Sequence, residues 1–220
     1  MFEGLSSGSN IDHTSTILEV GCGTANYIIA LQSLTGSQCW GIDPSEKILS
    51  MARGRSQEIK FKNGRAEQLD FPDKLFDFIF TVDVIHHIKD HQDYFKEAYR
   101  TPKPGNRICT VTDSEWILSN RVPLASHFPE TVDVELARYP RIPYLTGLMK
   151  EAGFTDIQDE IVEYTFHMKD IQAFRDRAYS SLHHIPEEAF QKGITRLQKE
   201  HDQKRYIPNI SRYALLWGTK

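Results

Sequence analysis

The chain has few cysteines, no long apolar run and no surplus of positive charge, and each shortage removes a class of function. Its three cysteines, Cys22, Cys39 and Cys109, show neither metal-ligand spacing nor a disulfide framework. Each lies in or beside an apolar segment, where a free cysteine behaves as a small buried hydrophobe. No metal is expected, and a reducing compartment, the cytoplasm, is. No stretch approaches the roughly 20 apolar residues of a membrane span. Met1–His13 lacks the basic-then-apolar pattern of a secretory signal. A net charge of −4 does not suit a general nucleic-acid binder. Residues 1–15 are rich in Gly and Ser and are expected to be mobile, with almost no room for a helix before the first apolar run.

What is present fits one globular domain over residues 1–220, with 40% hydrophobic and 25% charged residues. The organising stretch is Ile17-Leu18-Glu19-Val20-Gly21-Cys22-Gly23-Thr24-Ala25-Asn26. An apolar run of this kind reads as a parallel strand buried on both faces. Gly21 and Gly23 allow a sharp turn and a close approach to the backbone. The helix that follows points its unpaired N–H groups at the same spot. A second run, Cys39-Trp40-Gly41-Ile42, ends in Asp43, placed to accept hydrogen bonds from both hydroxyls of a ribose. The dinucleotide fingerprint needs Gly or Ala where Asn26 stands. Glu19 would also sit badly beside a pyrophosphate, but well near an ammonium or a sulfonium.

Further strands are expected at about Ile59–Lys62, Phe76–Val82, Arg107–Thr112, Asp156–Phe166 and Ser211–Gly218, with helices between them. Alternation at this spacing implies a doubly wound parallel sheet, whose ligands bind at the carboxyl ends of the strands. Residues 113–138 read as irregular. Residues 167–207 read as a helical insertion before the last strand: Ile171, Phe174, Ala178 and Leu182 share one helical face, and Ala189, Phe190, Ile194 and Leu197 another.

The order acid-x-Gly-x-Gly, strand, acid resembles the class I S-adenosylmethionine-dependent methyltransferases. Phe71-Pro72-Asp73, Val84-Ile85-His86-His87-Ile88 and Lys103-Pro104-Gly105 make it similar to their type 11 group of ubiquinone- and menaquinone-biosynthesis-like enzymes. The resemblance covers roughly Ile17 to Thr112 and part of the tail. It implies a Rossmann-like seven-stranded sheet of order 3-2-1-4-5-7-6 with the last strand antiparallel. It also implies S-adenosylmethionine as cofactor and S-adenosylhomocysteine as product. Glu19, Gly21, Cys22, Gly23, Asp43, Pro44, Ala66, Glu67, Val82 and Asp83 are the implied cofactor contacts. Two positions depart from the group: Ala25 stands where a third glycine is usual, and Arg65 where an adenine-binding Asp is usual. Adenine recognition is therefore expected from backbone near Ala66, or from Glu67, since arginine cannot accept a hydrogen bond.

His86 and His87 are the candidate general bases, with an ordinary pKa of about 6.5 near working pH. The expected acceptor is a small molecule, methylated on O, N or C mainly by alignment of donor and acceptor. A nucleic-acid or protein methyltransferase, a nicotinamide oxidoreductase and a non-catalytic cofactor-binding domain are the rival readings. Phe128, Tyr179 and His183 are candidate acceptor-pocket walls, and residues 167–207 a candidate lid. Neither the acceptor nor the oligomeric state follows from the residues.

Overall fold

The computed structural model describes residues 2–220. In chain order these form α1 (Phe2–Ser9), β1 (Thr16–Val20), α2 (Asn26–Thr35), β2 (Gln38–Asp43), α3 (Glu46–Arg55), β3 (Lys60–Asn63), β4 (Phe76–Val82), α4 (His91–Arg100) and β5 (Pro102–Thr112). There follow α5 (Glu115–Ser119), α6 (Leu124–His127), α7 (Glu130–Arg138), α8 (Ile142–Ala152), β6 (Thr155–Met168), α9 (Gln172–Arg175), α10 (Glu187–Lys204) and β7 (Ile207–Thr219). The strands make one seven-stranded sheet of order β3-β2-β1-β4-β5-β7-β6. β3, β2, β1, β4 and β5 pair in parallel. The end of β7 lies against the start of β5, with Gly105 N–H donating to Lys220 O at 2.8 Å and Lys220 N–H to Asn106 O at 2.9 Å. That contact fixes β7 as antiparallel, as the resemblance implies.

The central strands earn their place by burial. Ile17, Leu18 and Val20 of β1 and Phe76, Phe78, Ile79 and Phe80 of β4 are buried, as strands with helices on both faces must be. Asp90 opens α4 by accepting the Asp93 N–H at 2.9 Å. At the other end of α4, Glu97 and Arg100 clamp the loop between β3 and β4. Glu97 takes the Leu69 N–H at 2.7 Å, while Arg100 donates to the carbonyls of Leu69 and Phe71 at 2.7 and 2.8 Å. Residues 69–71 are thus anchored to α4 by side chains that bond their backbone groups.

Contacts divide the chain into two compact units. One comprises residues 1–112, 142–160 and 215–220, the other residues 113–141 and 161–214. Three expectations are corrected. Residues 2–9 are helical, because tertiary contacts hold a segment of weak propensity: Leu5 is buried, and the Gly8 carbonyl accepts from Arg107 at 2.6 Å. Residues 113–138 hold three short helices, since Pro123 and Pro129 open α6 and α7 instead of breaking structure. The first half of the 167–207 segment is not one continuous helix. α9 stops at Arg175, Arg177 takes a positive φ of 51°, and a 3₁₀ turn follows at Ser180–His183.

The second unit has its own core of Leu124, Phe128, Phe174, Leu182, Phe190 and Leu197, among others. Phe128 is fully buried and stacks on Phe174 at 5.7 Å and on Phe190 at 6.0 Å. It is a core residue and not the pocket wall expected. Gly193, in the middle of α10, makes room for that ring: a Cβ there would stand 2.2 Å from Phe128 Cδ1 and Cε1. Gly193→Ala would gain about 1 kcal/mol of helix propensity and lose more to overpacking, for which about 1–3 kcal/mol is usual. We expect a lower urea midpoint for this variant; an unchanged or higher midpoint would mean the ring can turn aside.

Candidate functional site

Four connections leave the carboxyl ends of β1, β2, β3 and β4 on one edge of the sheet. The loop after β1 turns on Gly21 (φ +73°) and Gly23 (φ +52°). At Gly21 a Cβ would come within 2.5 Å of a Val84 methyl, whereas around Gly23 nothing lies within 4 Å of that position. Gly21 is therefore needed for packing and Gly23 leaves open space. Ala25, where the resemblance puts a third glycine, is itself left-handed at φ +67°. A methyl group is held there at a strain of about 1–2 kcal/mol, so the backbone keeps the shape a glycine would give.

Two acids hold this loop. Ala25 supplies no side-chain cap to α2. Instead Glu19, on β1, accepts the Ile28 N–H through Oε2 at 3.0 Å, one of the orphan donors of the helix start. Glu19 is 1% exposed. Burial pushes its carboxyl well above the ordinary value, and the nearby Asp43 charge adds to this. Glu19 thus positions the loop from beneath. Asp43, the last residue of β2, accepts the Gly23 N–H through Oδ2 at 3.1 Å and the Ser45 N–H through Oδ1 at 2.9 Å. One carboxylate joins the loops after β1 and β2, and each oxygen keeps a lone pair for a further donor. Cys22 N–H adds a bond to Ile42 O at 2.8 Å. The Cys22 thiol is buried and its pKa raised, chiefly by desolvation, so it serves as packing and not as a thiolate.

The loops after β1, β2, β3 and β4 enclose a cleft of about 470 Å³, counting its open mouth. Gly21, Pro44, Ala66 and Glu67, all expected contacts, line it. Glu67 Oε1 accepts the Lys89 N–H at 3.1 Å and so closes one end. Asp83 follows β4 with φ +54° and donates its N–H to Val111 O at 3.0 Å; Val82 before it is buried in the strand. His87 lines the cleft, and its ring lies 4.0 Å from that of His86. Both rings sit on the 3₁₀ turn Ile85–His87. His91 Nε2 lies 2.9 Å from the Ile85 carbonyl, so this nitrogen carries the proton and steadies the turn.

Val84, Ile88, Lys89 and Gly64 also line the cleft and were not among the expected contacts. The apolar positions around His86-His87 were a usable signal for the first two. The Glu67–Lys89 bond spans 22 residues and left no local mark. His183 lies exposed on its 3₁₀ turn, while Tyr179 is half-buried 4.7 Å from Phe174.

The cradle suits an adenosyl ligand that carries a positive charge near the glycines. Asp43 stands beside the cleft with its carboxylate on the Gly23 and Ser45 N–H groups, Gly23 has open space around it, and Pro44, Ala66, Val84 and Ile88 give the cleft apolar faces. Comparison with known proteins bears on the family and its cofactor. Residues 18–110 match the family described as a methyltransferase domain. The chain is 30% identical over 183 residues to the demethylmenaquinone methyltransferase of Geobacillus kaustophilus, covering 71% of this chain and 77% of that one. It is 31% identical over 172 residues to the enzyme of the same name from Bacillus licheniformis, covering 68% and 74%. Among solved structures, phosphoethanolamine N-methyltransferase 2 of Haemonchus contortus, in complex with S-adenosyl-L-methionine, shares the fold. Its TM-score is 0.64 at 19% identity, over all of this chain and 52% of that one. Among the described residues, no helix is long and apolar enough to cross a membrane. With the strand order, the acid-closed second strand and these relatives in agreement, the chain belongs to the class I S-adenosylmethionine-dependent methyltransferases, in the type 11 group.

Proposed function

We propose that this methyltransferase acts on a small molecule, with a quinol-type ring as the first acceptor to test. The observation that carries the reading is the Asp43 carboxylate, buried at the end of β2 and shared between two loops. The choice of acceptor class rests on relatives named for demethylmenaquinone, at 27–31% identity.

Bound S-adenosylmethionine supplies a methyl group already activated by its sulfonium. The protein's task is then to orient and to exclude water. Asp43 holds the ribose, and the Gly21–Gly23 backbone admits the methionine end. Glu67 and the neighbouring backbone hold the purine, while Val82 and Asp83 carry the chain from the end of β4 to the Val84 wall. A quinol ring methylated on carbon must also give up a ring proton, so a base is required. His86 and His87, the titratable side chains on the turn after β4, are the proposed source of that base. The competing reading as a nucleic-acid enzyme has less support: Asp83-Val84-Ile85-His86 stands where amino-methylating enzymes of that kind carry an Asn/Asp-Pro-Pro-aromatic run, and the net charge is −4.

Methyl transfer from S-adenosylmethionine to reduced quinones, with phenols and amines as the comparison set, tests the acceptor class. Product only from the amines would overturn it. Asp43→Ala should weaken S-adenosylmethionine binding in calorimetry by about 1.5–3 kcal/mol, the range for a hydrogen bond to a charged group; unchanged affinity would remove Asp43 from the site. Of His86→Ala and His87→Ala, the variant lacking the base should lose about 10²–10⁴ in turnover while keeping its affinity for S-adenosylhomocysteine. Near-wild-type turnover in both would leave alignment alone as the catalytic device.

A further inference from the structure

The polar side chains around the cleft are mixed in sign. Arg65, Glu67, His87 and Lys89 line it together. The Arg65 side chain is exposed, and among the described residues no carboxylate pairs with its guanidinium. Glu67 has committed one oxygen, Oε1, to the Lys89 N–H. A purine leaving a ribose held at Asp43 would pass Pro44 and bring its six-membered ring into this cleft, between residues 64–67 and 84–89. There it meets an obligate donor, Arg65, beside an obligate acceptor, Glu67.

We propose that this donor–acceptor pair makes the purine end of the site accept a 6-oxo purine as well as adenine, with Arg65 as the residue that sets this breadth. The inference rests on the reading that the cofactor's purine occupies this cleft. Adenine shows a donor at N6 and acceptors at N1 and N7. Glu67 can take the N6 hydrogens, and Arg65 can donate to a ring nitrogen. Hypoxanthine shows an acceptor at O6, a donor at N1 and an acceptor at N7. Its O6 and N7 form the acceptor pair that an arginine fork engages on guanine, and its N1–H falls to Glu67. The apolar faces of Pro44, Ala66, Val84 and Ile88 read flatness and do not tell the two rings apart. A rim made only of acceptors would leave O6 facing a carboxylate, and sites of that kind reject the mismatched analogue strongly.

The test is calorimetric binding of S-adenosylhomocysteine and of its 6-oxo analogue, S-inosylhomocysteine, to the full chain. Arg65 is exposed, so Arg65→Glu is expected to fold. A bidentate arginine contact corresponds to roughly 5- to 150-fold in affinity. The wild type should therefore prefer the adenosyl ligand by less than about 30-fold, and Arg65→Glu should widen that preference by about tenfold or more. A wild-type preference of about 30-fold or greater, or one that Arg65→Glu leaves unmoved, would overturn the proposal. Failure of S-adenosylhomocysteine itself to bind the wild type would instead strike at the cofactor site on which the proposal stands, and overturn both.

Discussion

The site depends on one carboxylate shared between two loops. Asp43 ends β2 and accepts N–H groups from Gly23 and from Ser45. The first bond fixes the turn after β1, and the second fixes the entry to α3. Remove that carboxylate and two backbone donors lose their partner in a mostly buried place, a cost of about 1–3 kcal/mol each. The same oxygens are the ones proposed to accept the ribose hydroxyls. On that proposal structure and binding draw on one group, and the two loops are already joined without a ligand.

Glu19 supports this arrangement from below. A helix that starts on a left-handed alanine has no cap of its own, and Glu19 provides one from the neighbouring strand. The chain accepts a desolvated acid for this purpose, which burial holds well above the ordinary carboxyl range. On the far side of the cleft, Glu67 reaches the backbone of Lys89, and Glu97 and Arg100 anchor the stretch that follows. Acidic side chains bonded to backbone N–H groups thus join the connections after β1, β2, β3 and β4. Such bonds hold loops in place without needing any particular side chain on the other partner.

Much of the sheet was legible because its signal is local. Ile17–Val20 and Phe76–Val82 are apolar runs of strand length, and Asp43 and Gly21 follow such runs directly. The candidate site residues were chosen by position, since doubly wound sheets place their ligands at strand ends. Glu19 was legible as an acid closing the first strand beside the glycines, but its burial and its bond to Ile28 were not, because capping from a strand has no sequence pattern. The helix at 2–9 was missed for a related reason. Its Gly and Ser residues argue against a helix, and what favours it is Leu5 and the reach of Arg107 from 99 residues away. Of the short helices of 113–138, α6 and α7 were hidden by the prolines that open them. In the 167–207 segment the apolar spacing was genuine, yet the backbone turns left-handed at Arg177 and the stripe is divided between separate pieces.

A crystal structure of the chain with S-adenosylhomocysteine tests the central claim most directly. The account predicts both ribose hydroxyls on the Asp43 carboxylate, with the purine between Ala66 and Ile88. A ligand bound with its ribose away from Asp43, or its purine outside that cleft, would contradict it.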